Sequence, residues 1–498
     1  MNTPIRRQAA LHGFGWGCLA GLVLVALMYL AGQVLGLRPL PQLLNEPLLA
    51  IMPGFVFGFL IDTLQHAGKV VEEFGLIVAM IFVLGLLGGA SSVAGLRWRS
   101  QYQPLAFAAA GWLIVAGALL PVGAAGFLGL ADGPATPVMW AVLFAVYGVI
   151  LQMGHAPSGP VDTGRRRLLG GIPLTLGAVS LGLLAKRLIP DWYQAIFKPA
   201  ESGLRVSTEV TPIDNFYVVS KNFADPSVDA SGWALNVGGL VNQPLKLSVE
   251  QLRALPAVTE YVTMECVSNL VGGGLMSTAS FAGVRLKDLV AMAGPTAQGT
   301  WVGFTARDGY TESIPRSLVD GAPEILIAYD MDGAPIPMAH GFPARVLIPG
   351  HYGMKGPKWL DRIDLVSHEA GGYWEQQGWD HNAVIKTTAR FDVPRDGDVV
   401  KLGAQQLAGV AFAGTRGISA VEFSTDGGKT WNAASFNPPL SAYTWVLWGA
   451  TWNANSEGSY QLQVRATDGS GAQQTSQVSA SYPNGAAGYH TIHVDVSK

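Results

Sequence analysis

Tyr261-Val262-Thr263-Met264-Glu265-Cys266-Val267-Ser268-Asn269 is a β-branched and apolar run that passes into Gly272-Gly273-Gly274. These residue types suit a strand that becomes a tight glycine loop. At the junction stands Cys266, one of two cysteines in 498 residues; the other, Cys18, lies in an apolar N-terminal stretch. A lone thiol at such a junction suits a small buried hydrophobe, a nucleophile or a metal ligand. On the cysteine alone, the buried-thiol role is favoured.

The wider composition narrows the field. Net charge is -3, so no global basic field points to nucleic acid. Residues 1–160 carry only eleven charged side chains, and the remainder has the charge density of a soluble protein. A membrane region followed by a soluble region is the natural division. Two distant cysteines argue against a disulfide framework. The chain has no C-x-x-C-H haem motif, no zinc-like Cys/His cluster and no G-x-x-x-x-G-K-[ST] phosphate loop.

A spanning helix needs about 20 mostly apolar residues, because lipid offers its backbone no hydrogen bonds. Gly13–Leu35, Phe74–Gly95, Pro104–Leu128, Pro137–Met153 and Leu168–Leu188 meet that need. Leu48–Ile61 is shorter and contains Pro53, which gives five or six spans. Basic loops stay cytoplasmic. With Arg97/Arg99 and Arg165-Arg166-Arg167 inside, the soluble region emerges on the periplasmic or extracellular side for either count. Thr163-Gly164-Arg165-Arg166-Arg167 before a glycine-rich apolar stretch reads equally as a twin-arginine-like export signal or as an ordinary anchor. His12, His66 and His155 lie near segment ends and read as interfacial residues rather than as a haem pair. The resulting division is a helical transmembrane bundle over 1–190, a linker over 191–207, an α+β domain over 208–394 and an all-β domain over 395–498.

Residues 208–390 show short apolar runs between Gly/Pro/Asp turns, with helical patterns at Ser248–Ala254 and Leu286–Ala293. Beyond residue 402, short strands such as Gly409–Ala413, Ala420–Ser424, Tyr443–Leu447 and Tyr460–Ala466 alternate with Asp-Gly turns. That pattern predicts an immunoglobulin-like sandwich without its cysteine pair.

Six ordered blocks then carry a resemblance. They are Tyr261–Asn269; Asp308-Gly309-Tyr310 with Ser313-Ile314-Pro315; Ala328-Tyr329-Asp330-Met331-Asp332-Gly333; His340-Gly341-Phe342-Pro343-Ala344-Arg345; Pro349-Gly350; and Lys358-Trp359-Leu360. Together with Gly372-Tyr373-Trp374 and Gly378-Trp379, they resemble the sulfite-oxidase family of molybdopterin enzymes over about Thr211–Val496. The resemblance implies a molybdenum–molybdopterin cofactor with Cys266 as its thiolate metal ligand. It implies His340, Arg345 and Lys358 as the cradle of the pterin phosphate, with Lys355 as a further candidate; Asn269, three residues past the cysteine, is a cofactor-site candidate that either steadies the loop or faces the metal site. It also implies a C-terminal domain used for dimerisation.

Several positions depart from the family pattern. The arginines that hold an oxyanion beside the metal are replaced by Val219, Leu270 and Val271, and a site tyrosine by Trp379. Lys221 and His351 remain as groups able to attract an anion, among the aromatics Tyr352, Trp374 and Trp379. The expectation is therefore two-electron oxygen-atom transfer on a small non-sulfite substrate such as a sulfoxide or N-oxide, with Cys266, Trp379 and Lys221 at the reaction centre. Sulfite dehydrogenation and a non-catalytic membrane scaffold are the alternatives. No electron-carrying segment is visible, which points to an external electron-transfer partner or a quinone at the membrane.

Overall fold

Long apolar stretches must satisfy their own backbone, and between residues 3 and 154 they do so as helices. The computed structural model describes residues 3–52, 67–98, 102–123, 125–154, 206–222, 225–321 and 324–498, with scattered positions elsewhere. Two compact units result, the first within residues 1–199 and the second centred on Ala200–Lys498.

The first unit contains α1 (Thr3–Leu35), α2 (Leu40–Ile51), α3 (Ala67–Gly95), α4 (Gln103–Ile114, continued to Val122 through a π-helical turn) and α5 (Thr136–Gly154). Four of these are long and apolar enough to cross a membrane: Pro4–Leu35, Val71–Gly95, Gln103–Val122 and Thr136–Gly154. The expected span Pro104–Leu128 stops early, because Gly123 and Gly126 (φ 74°) break the helix before a short 3-10 turn at Phe127–Asp132. The Arg165–Arg167 run, His66 and His155 lie outside the described residues, as do most of the expected span Leu168–Leu188 and half of Leu48–Ile61. The antiparallel pair α1 and α3 packs through glycines. A Cβ at Gly17 would sit 2.7 Å from the Leu84 carbonyl, so the backbones approach as closely as small residues allow. Buried between these helices, the Tyr29 hydroxyl donates to Glu73 at 2.7 Å.

The second unit begins with two five-stranded sheets. Its elements are β1 (Ala234–Gly239), β2 (Leu245–Ser248), α6 (Val249–Arg253), β3 (Ala257–Glu265), β4 (Met276–Arg285), α7 (Leu286–Ala293), β5 (Trp301–Ala306), β6 (Thr311–Pro315), α8 (Arg316–Asp320), β7 (Leu326–Met331), β8 (Ala334–Pro335), β9 (Arg345–Leu347) and β10 (Leu360–Val366). One sheet has the order β2-β1-β10-β5-β6; the other runs β3-β4-β7-β8, with β9 also on β7. Both expected helices are present. α6 starts in a capping box, where Ser248 Oγ accepts from the Gln251 amide and Gln251 returns the bond to the Ser248 amide. α7 ends at Gly294 in the left-handed conformation (φ 63°).

The C-terminal part is all β, an eight-stranded path that starts at Thr388–Val393 and passes through His490–Ser497 to end at Val399–Lys401. It begins before residue 395, since Thr388–Val393 pairs with Gly403–Phe412. Its core holds Phe391, Trp448, Leu462 and Val494. This domain also touches β3. The Thr263 amide donates to the Tyr443 carbonyl at 3.0 Å, the Trp445 amide to Thr263 Oγ1 at 2.9 Å, and Ser441 Oγ to the Tyr261 carbonyl at 2.6 Å. The last residues of β3, Val262–Glu265, are therefore buried on both faces.

Candidate active site

β3 delivers Cys266 to the start of a closed loop. The Cys266 amide donates to the Leu275 carbonyl at 3.0 Å, and the Asn269 amide donates back to the Cys266 carbonyl at 3.0 Å. Asn269 is a tie within this loop: its side-chain amide donates to Glu265 at 2.9 Å, and its oxygen accepts from the Leu275 amide at 2.9 Å. Those bonds occupy its polar atoms with the protein itself rather than turning them toward a ligand. The half-buried Cys266 Sγ lies 3.1 Å from Ser268 Oγ. From the C-terminal domain, Arg390 donates to the Gly273 carbonyl at 2.5 Å, and the His490 ring rests on Gly272 (φ 78°).

Around the thiol stand Tyr217, Tyr310 and Tyr352. Burial raises all three phenol pKa values, and charge at Cys266 adds to the effect. Gly353 closes against this group, since a Cβ there would lie 2.9 Å from the Tyr217 hydroxyl. Tyr217 couples to Arg345, which leads to the cationic cluster.

That cluster is His340, Arg345 and Lys358, held by the 3-10 turn Met338–His340, by β9 and by the approach to β10. Arg345 is 4% exposed and donates to the His340 carbonyl at 3.0 Å, while Lys358 donates to the Ala339 carbonyl at 3.0 Å. Among the described residues neither is ion-paired, and Arg345 Nε is buried without a hydrogen-bond partner. Burial pushes Arg345 down to about 10. Burial, with Arg345 adding to it, pushes Lys358 down to about 8. Burial followed by both cations pushes His340 down to about 4, so its ring is neutral at pH 7. A buried cation without a counter-charge is costly, so this cluster is built for an anionic guest.

Lys355 is not part of the cluster. It is buried between Glu312, at 2.7 Å, and Glu375, and its charge is already answered there. Lys221 is also buried and lies 5.0 Å over the Tyr373 ring, which neighbours Tyr310. Trp379 is 3% exposed, packs edge-on against Tyr482, and carries a buried indole N–H with no hydrogen-bond partner among the described residues. His351 differs from expectation: burial lowers its pKa, which leaves it a neutral ring rather than an anion trap. Leu270 is exposed and Val219 half-buried.

Sequence reasoning missed Tyr217, and it missed Tyr310 although that residue sits inside a block already singled out. It also missed Glu312 and Glu375. Nothing in the mixed stretch Thr311–Pro315 marks Glu312 as buried; that appears only in the folded sheet.

Comparison with known proteins bears on this geometry. A family model described as the oxidoreductase molybdopterin binding domain matches residues 222–374, and one described as the Mo-co oxidoreductase dimerisation domain matches 375–496. The chain carries an oxidoreductase molybdopterin binding domain followed by a Mo-co oxidoreductase dimerisation domain. Human mitochondrial sulfite oxidase is 32% identical over 285 residues, covering 48% of this chain and 52% of that protein. A nitrate reductase [NAD(P)H] of Hordeum vulgare is 27% identical over 321 residues, covering 52% of this chain and 36% of that one. The chain thus spans about half the length, or less, of these relatives. The sulfane dehydrogenase SoxCD structure from Paracoccus pantotrophus superimposes with a TM-score of 0.53 at 21% identity, covering 59% of this chain and 85% of that one. At that identity it speaks for the fold.

The cofactor of these domains is molybdenum–molybdopterin, and the residues present fit it. Cys266 offers a soft anionic sulfur at the end of a rigid strand, the donor type that suits such a metal. Arg345, buried without an ion-pair partner among the described residues, and the half-buried Lys358, which Asp225 and Asp308 only partly offset, offer the complement to a phosphate.

Proposed function

We propose that this chain is a membrane-anchored molybdenum oxidoreductase that performs two-electron oxygen-atom transfer on a small, non-sulfite substrate such as a sulfoxide or N-oxide. The observation that carries the reading is the buried Arg345, which has an unpartnered Nε, lies beside Lys358 and acts by its charge on Tyr217, as Cys266 also does. The bound cofactor supplies a metal centre that exchanges one oxygen atom and two electrons. The chain's own residues hold and shield it. Cys266 anchors the metal, Arg345 and Lys358 neutralise the phosphate, and the buried tyrosines exclude water.

The non-sulfite preference rests on Leu270, Val271 and Val219, which stand where the family pattern carries anion-holding arginines. Each missing charge-assisted bond removes about 1.5–3 kcal/mol from oxyanion binding. Sulfite dehydrogenation is the second reading, supported by the buried cation Lys221 over Tyr373. The four apolar helices support a membrane anchor; with Arg6 and Arg7 at the start of α1 and Arg97 just beyond α3 on the inner side, they return the chain to that side, and the further span expected at Leu168–Leu188 is what would carry the catalytic domain outward. Electrons then pass to an external carrier or a membrane quinone, and the dimerisation-type domain supports a homodimer.

The test is the molybdenum and pterin content of detergent-purified wild type beside Cys266→Ser, with the electron-spin spectrum of the reduced metal. Stoichiometric molybdenum, with a thiolate-type signal altered and turnover lost in Cys266→Ser, is expected. Sulfoxides, N-oxides and sulfite are then compared as substrates. A folded wild type without molybdenum would sink the enzyme reading and leave a scaffold.

A further inference from the structure

We infer that Glu312, Lys355, Glu375 and His381 form a proton path between the Cys266 site and solvent. This rests on the proposed oxygen-atom transfer, which must move protons whichever way it runs.

The geometry is a row. Glu312, Lys355 and Glu375 are 1%, 3% and 5% exposed. Lys355 Nζ donates to Glu312 Oε1 at 2.7 Å, to the Ser313 carbonyl at 3.1 Å and to Glu375 Oε1. The other Glu375 oxygen accepts from the Gly372 amide at 2.6 Å and lies 3.7 Å from His381 Nδ1. His381, 60% exposed, is 2.6 Å from Glu369, and the donor atoms of Glu369, Glu375 and His381 all fall within 4.8 Å of one another. At the inner end, Tyr310 donates to the carbonyl of Met354, the residue before Lys355, and its phenol responds to Glu312, Glu375 and Cys266 alike. Tyr310 thus feels the charge of both the thiol and the row.

An ion pair serving only stability needs one carboxylate per ammonium; here two buried carboxylates share one. A second buried carboxylate costs free energy unless a proton accompanies it. Glu312 Oε2 is buried with no hydrogen-bond partner among the described residues, so it has room for that proton. Burial accordingly pushes Glu312 up to about 8, with Glu375 adding to the rise and Lys355 opposing it. Glu369 raises the His381 pKa toward the range in which that ring exchanges protons near neutrality. The charged groups facing His381 are Glu369, Glu375 and Lys355, with Asp380 adjacent in sequence. Those facing Glu312 are Lys355 and Glu375, with Tyr310 beside them.

The bookkeeping closes. In the oxidising direction, substrate and water give oxygenated substrate, two protons and two electrons. The electrons leave to the external acceptor. Lys355 gives a proton to Glu375 and is restored by one from Glu312, which in turn takes up the proton released at the site; Glu375 passes its proton to His381, and His381 passes one to bulk water. Every group returns to its starting state, and the reducing direction runs the row backwards.

The experiment uses full-length, detergent-purified protein with His381→Ala, an exposed change that spares the core, and Glu312→Gln to assign an infrared band. His381→Ala should keep wild-type molybdenum content and electron-spin spectrum, lose roughly tenfold or more in turnover, and recover with added imidazole. A carboxylic-acid band titrating near pH 8 should be present in wild type and absent in Glu312→Gln. Turnover indifferent to His381→Ala, a loss that imidazole leaves unrepaired, or no such band each overturns the path. If wild type holds no molybdenum, the oxygen-transfer reading fails by itself, and the infrared titration still decides whether the row stores a proton.

Discussion

Arg345 shows how function can be written as a deficit. Its guanidinium is buried among carbonyl dipoles, and one of its nitrogens lacks a partner. Such a residue weakens the empty protein and strengthens the loaded one. Arg345→Met should therefore give apo-protein at least as stable toward heat as wild type. Cofactor affinity should fall by about ten- to a hundredfold, the loss of one phosphate contact of about 1.5–3 kcal/mol. Molybdenum retained after dialysis, measured beside the unfolding temperature, checks both halves. At this scale the sequence is informative where chemistry is rare: a lone cysteine, or a histidine, arginine and lysine in ordered blocks. It is silent where partners are distant. Nothing near Lys355 in the chain announces Glu312, 43 positions away, which is why a cation of a buried triad was taken for a phosphate ligand. For Asn269 the sequence leaves two roles open, steadying the loop or facing the metal site, because the bonds to its local partners Glu265 and Leu275 that favour the first appear only once the loop has closed.

Among the elements, the β3–loop unit is the one the site depends on. Gly272 adopts φ 78° and lies under the His490 ring, so a side chain there meets both backbone strain and collision. Gly272→Ala should cost about 1–3 kcal/mol of unfolding free energy and lower molybdenum occupancy as Cys266 shifts. Chemical denaturation and metal analysis read the two effects. Element types were largely legible. α7 follows from its 3.6-residue period and closing glycine, and the C-terminal strands follow from alternation between Asp-Gly turns. The end of α4 was not, because hydropathy continues to Leu128 while glycine conformations stop the helix at Val122. Nor was the docking of Ser441–Trp445 on β3, since contacts about 180 residues apart leave no trace in local pattern.

For the molecule as a whole, the buried acids set the response to pH. Glu312 titrates near 8 in the folded chain and near 4.5 when unfolded. Between those values the folded state holds the extra proton, so stability is greatest at the acidic end of the window and falls as pH rises toward 8. Glu312→Gln should flatten that decline, visible as an unfolding temperature less dependent on pH between about 5 and 8 than that of wild type. The division into a helical unit and a larger mixed unit was readable from charge density alone, since eleven charges in 160 residues suit no water-facing core. The interdependence of the catalytic and C-terminal domains was not readable. Arg390 stands on the first strand of the C-terminal sheet, yet it holds Gly273 and Ser207, while Tyr443 and Trp445 complete the edge of β3. Severed near residue 375, where the two family models meet, neither half would keep its shape, for each leaves hydrogen bonds of the other unanswered. A lineage that swaps domains like cassettes could not swap these two: a sandwich from a cousin would fit only with the cousin's cysteine loop, and the pair must be inherited as one piece.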